Sequence, residues 1–296
     1  MSVRSPIVSP ADLAARLGDP AIRVVDVRWV LGNPGRGREE YDAGHIPGAI
    51  FLDVDTDLVA PNGPGRHPLP SPETFRARLE RAGIGTEHDV IAYDDVGGWV
   101  AARFWWMLDD LGHQRVAVLD GGFPAWVAEG NPVGLDAHPV PAAHLELADH
   151  WTKIVDRAGV VSGLGDIVLL DARGGPRYRG ETEPIDAVPG HVPTARYAPT
   201  DGNLGPDGRF LPADDLKARF TGLGAAGNNG PVVTSCGSGV SACVNSLAMR
   251  IAGLPDPILY PGSYSDWTRS GMPVAVGPEP GDVPAELART ASSTGR

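Results

Sequence analysis

The 296-residue sequence predicts an α/β protein built twice over: two small domains in tandem, each a parallel sheet flanked by helices. Three observations carry that expectation. First, landmarks of the amino half recur in the same order in the carboxyl half. Ile22-Arg-Val-Val-Asp26-Val-Arg28 is answered by Ile167-Val-Leu-Leu-Asp171-Ala-Arg173, Gly44-His45-Ile46-Pro47 by Gly190-His191-Val192-Pro193, and the Gly121–Trp126 stretch by Gly262–Trp267, all at nearly one displacement. Second, short apolar runs rich in β-branched residues alternate with stretches of helical spacing, the pattern of strands buried on both faces of a parallel sheet. Third, one such run, Val232-Val233-Thr234, stops at Cys236-Gly237-Ser238-Gly239, and helical spacing resumes with Ala242, Val244, Leu247, Ala248 and Ile251.

The elements follow in order. A short helix is predicted over Asp12–Leu17 after Pro10, then a buried strand over Ile22–Trp29 and a Gly/Arg-rich loop from Gly32 to Gly37. The Pro/Gly-rich stretch Pro61–Pro70 reads as a loop; a loop this costly to order is more often functional than core. Pro72–Ala82 is a helix with proline in its first turn and Glu73 near its positive end. Val90–Tyr93 is a strand, Ala101–Leu111 a helix and Val116–Leu119 a strand; Gly121-Gly122 then opens another helix, and Asn131-Pro132-Val133 closes the unit. The expected boundaries are 1–135 for the first domain, 136–156 for a linker containing Pro139 and Pro141, and 157–277 for the second domain. The Gly/Pro/Ser-rich tail 278–296 is expected to be poorly ordered.

Composition excludes several function classes. The formal net charge of −12 argues against nucleic acid as a partner. No apolar run approaches the roughly 20 residues of a membrane helix, and the amino terminus has no apolar core for a secretory signal. Two cysteines seven positions apart form neither a disulfide framework nor a zinc pattern. A cytoplasmic protein with no structural metal is the expectation.

Cys236 is the candidate for chemistry. A strand that ends in Cys-Gly-Ser-Gly and restarts as a helix aims several backbone N–H groups at one spot, with a helix dipole behind it, which favours the thiolate of a cysteine set there. The two glycines let the backbone wrap around an anion. The duplication supplies a control: the first copy has Tyr93-Asp94-Asp95-Val-Gly-Gly at the same place, and an aspartate cannot be a thiol nucleophile. A cysteine phosphatase would need arginine six positions after the cysteine to hold phosphate, and Ala242 stands there. Gly237-Ser-Gly-Val also lacks the Lys-Ser/Thr of a phosphate-binding P-loop.

With both halves in view, the chain resembles the two-domain rhodanese superfamily and, within it, the mercaptopyruvate and thiosulfate sulfurtransferase branches. The resemblance spans about Val24 to Val276 and rests on Gly44–Ala49, Leu119–Gly122, Asp171–Arg173, Arg177-Tyr178-Arg179-Gly180 and, most specifically, Cys236-Gly-Ser-Gly-Val-Ser-Ala-Cys243. It implies tandem rhodanese-like domains and a covalent persulfide on Cys236, cradled by loop amides from Gly237, Gly239, Val240 and Ser241, with no other cofactor. A small sulfur donor and an acceptor, either cyanide or a thiol such as that of thioredoxin or a sulfur-carrier protein, would be the partners. Neutral Gly237 and Ser238 follow the cysteine as in the mercaptopyruvate branch; thiosulfate enzymes tend to carry basic residues there. By matching motifs, Ser238, Asp55 and His67 would form that branch's proton relay, and Arg177 would pair with the donor's carboxylate. The resemblance leaves thiosulfate as the alternative donor and a sulfur-relay module as the alternative role. One departure stands out: the second arginine expected after Glu183-Pro184 is missing, with Ile185-Asp186-Ala187 in its place, and Arg179 is the nearest substitute.

Other conspicuous residues read as structural. His45 and His191, present in both copies, are expected to cap backbone carbonyls; Asp26 with Arg28 and Asp171 with Arg173 are expected to form structural pairs. Cys243 is expected to be a small buried hydrophobe, and Trp105, Trp106 and Trp126 core residues.

Overall fold

A computed structural model of the chain describes residues 5–136, 140–227 and 229–291; residues 137–139 of the expected linker and 292–296 of the expected tail lie outside them. The chain divides into two units. One comprises Met1–Ala60, Leu69–Thr152 and Leu204–Phe210; the other comprises Pro61–Pro68, Lys153–Asn203 and Leu211–Arg296. Each is therefore built mostly from one half of the sequence, with a short segment from the other.

The first unit runs β1 (Ile7–Val8), α1 (Pro10–Ala14), β2 (Ile22–Asp26), α2 (Arg36–Ala43), β3 (Ile50–Phe51), α3 (Val54–Asp57), α4 (Pro72–Arg81), β4 (Asp89–Tyr93), α5 (Trp99–Asp110), β5 (Val116–Leu119) and α6 (Gly122–Ala128). Its five strands lie in the order β1-β5-β4-β2-β3, and every neighbouring pair is parallel. The continuous apolar runs of β2 and β4 are explained by helices on both faces. Leu13, Tyr41, Ile46 and Trp126 pack with Ile22, Val24, Ile91 and Tyr93. α5 is buried almost all round, from Val100 through Leu108. Ser9 and Ser71 cap α1 and α4 by accepting the amides of Asp12 and Thr74, each just before a proline in the first turn.

The stretch expected to be a linker is in part a wall of this unit. Leu145 is fully buried. Ala143 N–H donates to the Glu80 carbonyl at 3.0 Å, and the Trp151 ring stacks on Trp106 at 5.7 Å. Its proline and alanine content reads as a tether, but Leu145 and Trp151 have large apolar surfaces to bury, and that burial outweighs the composition.

The second unit runs α7 (Arg157–Gly163), β6 (Val168–Asp171), α8 (Gly175–Tyr178), β7 (Arg196–Tyr197), a 3-10 turn (Thr200–Asn203), α9 (Ala213–Gly222), β8 (Val232–Ser235), α10 (Ala242–Ile251), β9 (Ile258–Leu259), α11 (Ser263–Arg269) and α12 (Ala285–Ala291). Its sheet, β7-β6-β8-β9, is again parallel throughout. A single parallel bridge from Ile154 to Leu259 stands where the first unit has β1. The described part of the tail, up to residue 291, departs from the expectation of poor order: α12 is rich in good helix formers, and Leu287 joins Val160, Leu164 and Trp267 in the core.

The duplication extends to individual bonds. Tyr41 stacks on His45 with ring centroids 3.9 Å apart, and Tyr178 stacks on His191 at the same distance. Each histidine Nδ1 bonds the carbonyl of its own tyrosine, at 2.8 and 2.7 Å. Arg28 forks onto Asp26 and donates to the Gly44 carbonyl; Arg173 does the same with Asp171 and Gly190. Trp126 and Trp267 each donate their indole N–H to the carbonyl of a proline six residues on. These residues have the structural roles expected of them, and removing one partner of either buried ion pair would cost roughly 3–5 kcal/mol.

Candidate active site

β8 lies between β6 and β9, and its register sets Ser235 opposite Asp171. Cys236 therefore stands just past the carboxyl end of a central strand, where open α/β sheets place their ligands. From there the loop runs to α10. Cys236 is 2% exposed. The amides of Ser238 and Gly239 point at its Sγ, at 3.4 and 3.1 Å. Gly239 sits at φ +78°, and a Cβ there would stand 2.4 Å from the Pro261 carbonyl oxygen, so this turn requires glycine. Val240 is buried and its carbonyl accepts from Cys243 N–H at 3.2 Å; the Ser241 carbonyl accepts from Val244 N–H at 3.1 Å, and with these bonds α10 begins. Cys243 is fully buried one turn later, its Sγ 3.6 Å from the Gly239 carbonyl, as expected of a small core residue.

The first turn of α11 supports the loop from beneath. Tyr264 and Ser265 donate their amides to the carbonyls of Cys236 and Gly237 at 3.0 and 2.9 Å. Ser263 Oγ accepts the Cys236 amide at 3.1 Å and donates to the Tyr260 carbonyl at 2.8 Å. Pro261–Tyr264 is thus the floor of the cysteine loop. The first copy has the matching bond, from Phe123 N–H to the Asp94 carbonyl at 2.8 Å.

The control position explains what the loop does. Asp94 is buried, and its carboxylate accepts four amides: Val96 and Gly98 on one oxygen, Val100 and Ala101 on the other, at 2.8–3.0 Å. Burial pushes its carboxyl above the ordinary range, against the pull of those amides. In the first unit the turn encloses an anion of its own. In the second unit the amides of Ser238 and Gly239 face the sulfur of Cys236 instead.

His67 lies in the Pro61–Pro68 segment of the second unit and is buried. Its Nδ1 is 2.7 Å from Ser238 Oγ. The structure thus brings together Cys236, Ser238 and His67. Asp55 lies in the first turn of α3 in the first unit, where its carboxylate accepts from the Trp29 indole at 3.0 Å.

Arg177, at the end of α8, forks onto Glu183 at 2.8–3.1 Å and reaches Asp186 at 3.0 Å. Glu183 is almost fully enclosed. Burial pushes its carboxyl up, but Arg177 and the amides of Asp186 and Ile185 outweigh this and hold it below the usual range. Arg66 Nη1 makes a short ion pair with the other oxygen of Asp186. A Cβ on Gly237 would stand 2.8 Å from Arg66 Nη2 and 3.4 Å from Arg177 Nη1, so both guanidiniums flank the residue next to Cys236. Arg179 is engaged elsewhere: it forks onto Glu181 at 2.6 and 2.9 Å at the surface, beside Tyr197. Arg66, Glu183, Asp186 and Ser263 were missed by sequence reasoning. The available signal was the position of Arg66 next to His67.

Among the described residues, no group of three or more His, Cys, Asp or Glu side chains could hold a metal ion, and no helix is long and apolar enough to cross a membrane.

A buried cysteine in an amide-lined strand-to-helix turn, on one copy of a duplicated parallel α/β unit, defines a class of protein that carries a group on sulfur. The comparisons identify it further. The rhodanese-like domain model matches residues 9–129 and 159–270. The chain belongs to the rhodanese family, a family of sulfur-transferring enzymes. It is 42% identical over 278 residues to a probable 3-mercaptopyruvate sulfurtransferase of Pseudomonas aeruginosa, covering 92% of this chain and 98% of that protein. It is 33% identical to the 3-mercaptopyruvate sulfurtransferase of Escherichia coli K12, covering 88% and 95%. The structure of 3-mercaptopyruvate sulfurtransferase from Leishmania major matches with a TM-score of 0.79 at 31% identity, over 89% of this chain and 74% of that one.

Proposed function

We propose that this enzyme moves a sulfur atom from 3-mercaptopyruvate to a thiol acceptor through a persulfide on Cys236, releasing pyruvate. The observation that carries the reading is the pair of amides, Ser238 and Gly239, aimed at Cys236 Sγ beside the Ser238–His67 hydrogen bond. The Cys236 thiolate attacks the donor's sulfur. The carbon–sulfur bond breaks, and its electron pair passes to the methylene carbon as the enolate of pyruvate. One proton on that carbon completes pyruvate, and the sulfur stays on Cys236. An acceptor thiolate then attacks the outer sulfur, the sulfur–sulfur bond breaks, and Cys236 recovers its pair.

The loop amides stabilise the terminal anionic sulfur as they would an oxyanion. The Ser238–His67 pair delivers the proton. Arg177 holds the donor's carboxylate. Two positive charges near Gly237, on Arg66 and Arg177, face two negative ones, on Glu183 and Asp186. That balance suits a monoanionic keto acid better than dianionic thiosulfate. The acceptor is a small thiol or a protein thiol such as thioredoxin or a sulfur carrier. Neither cysteine is in a disulfide, which fits a reducing compartment such as the cytoplasm. Steady-state turnover of both donors tests the reading: kcat/KM should favour mercaptopyruvate with stoichiometric pyruvate, and a preference for thiosulfate would refute the donor.

A further inference from the structure

Arg66 contributes no bond to its own loop that would explain its burial. Its Nε is buried with no hydrogen-bond partner among the described residues. Burial pushes the guanidinium below its ordinary value, against the pull of Asp186. A buried, half-satisfied guanidinium costs stability, and such a group calls for a ligand. Its Nη2 lies toward Gly237, and so does Nη1 of Arg177, whose Nε and Nη2 are held by Glu183. Asp186 bridges the two arginines, one carboxylate oxygen to each. Burial pushes the Asp186 carboxyl up, against the pull of both guanidiniums.

We infer that Arg66 and Arg177 form the donor-carboxylate clamp of this enzyme, and that Asp186 is an internal carboxylate which occupies the clamp in competition with the donor. This rests on the mercaptopyruvate reading and deepens it. Two guanidiniums side by side put two positive charges and several directed N–H groups on one carboxylate, which lysine, a point charge, cannot reproduce. The second arginine thus comes from the segment that carries His67, and an aspartate occupies the stretch after Glu183-Pro184. Arg66 selects the donor's carboxylate; Asp186 sets how much affinity the clamp retains.

Two substitutions should move the Michaelis constant in opposite directions. Arg66→Met should raise the KM for mercaptopyruvate about 10- to 100-fold with kcat within a few fold, the loss expected for one charge-assisted pair. Asp186→Asn should lower that KM several fold, because the competing charge is gone. Mercaptoacetone, the same donor without its carboxylate, provides the second readout: its kcat/KM should be unchanged by Arg66→Met. Arg66→Lys should fall between wild type and Arg66→Met, since charge survives without the fork. An unchanged KM in Arg66→Met, an equal loss with mercaptoacetone, or a raised KM in Asp186→Asn would each overturn the inference while leaving sulfur transfer intact. If the wild-type enzyme released no pyruvate and gained no sulfur, the mercaptopyruvate reading would fall and this clamp with it.

Discussion

Gly239→Ala, set beside Gly253→Ala, separates the chemistry of the cysteine loop from its folding. Gly239 stands at φ +78°, and an added Cβ would meet the Pro261 carbonyl oxygen at 2.4 Å and its Cα at 2.9 Å. Both are backbone atoms of the segment that leads into α11, so the loop must move instead. The left-handed conformation alone costs an alanine about 1–2 kcal/mol. Displacing the loop also withdraws the Gly239 amide, the closer of the two donors on Cys236 Sγ at 3.1 Å. A hydrogen bond to a charged group contributes roughly 1.5–3 kcal/mol, which corresponds to about a 10- to 100-fold fall in the rate of sulfur uptake. Gly253 is the matched control: it too is left-handed, at φ +66°, but a Cβ there meets nothing within 4 Å. Stopped-flow or steady-state kcat/KM with mercaptopyruvate, alongside urea unfolding, reads both effects. Gly253→Ala should lose about 1 kcal/mol of stability with full activity; Gly239→Ala should lose stability and activity together. A Gly239→Ala enzyme with wild-type kcat/KM would refute the role of that amide.

Three further outcomes follow from residues outside the reactive loop. Asp94→Ala removes the acceptor of four buried amides and should destabilise the first unit by about 3 kcal/mol or more, read by chemical denaturation. Asp95 has its carboxyl pushed up to about 6 by burial and by the charges of Glu40 and Asp94. Its ionised form is thus disfavoured in the folded state, and the penalty is fully present above pH 6. Asp95→Asn should therefore stabilise the protein at pH 7–8. The gain should shrink as pH falls through 6 and vanish below the ordinary carboxylate range; a gain independent of pH would contradict the cause assigned. Thr194 sits at φ +71°, where the first unit has Gly48 at +78°. Its hydroxyl is buried without a partner among the described residues. Thr194→Gly should raise the unfolding free energy by about 1 kcal/mol.

The repeat made much of the fold legible, because strands such as Val116–Leu119 and the helix Ala242–Ile251 carry strong local patterns. The two-residue strands β1, β3, β7 and β9 were not legible: a segment that short has no period, and pairing with a neighbouring strand creates it. The tail and linker were misread because composition registers glycine and proline but not the few apolar side chains, Leu287, Leu145 and Trp151, that anchor each segment. At the site, Cys236 and Ser238 were readable because the loop's geometry is written into consecutive residues. Arg66 and Asp186 were not, since they meet across 120 positions of sequence. The partner of Arg179 was equally illegible: its short distance in sequence from the vacancy says nothing of the ion pair it makes with Glu181.

Of the two buried cysteines, Cys236 should carry sulfur and Cys243 should not. Intact-protein mass spectrometry after brief mixing with mercaptopyruvate, without an acceptor, tests it most directly. The wild-type enzyme and Cys243→Ser should each gain the mass of one sulfur atom, and an acceptor thiol should remove it. Cys236→Ser should gain none. Sulfur retained in Cys236→Ser, or absent from the wild-type enzyme, would contradict the claim.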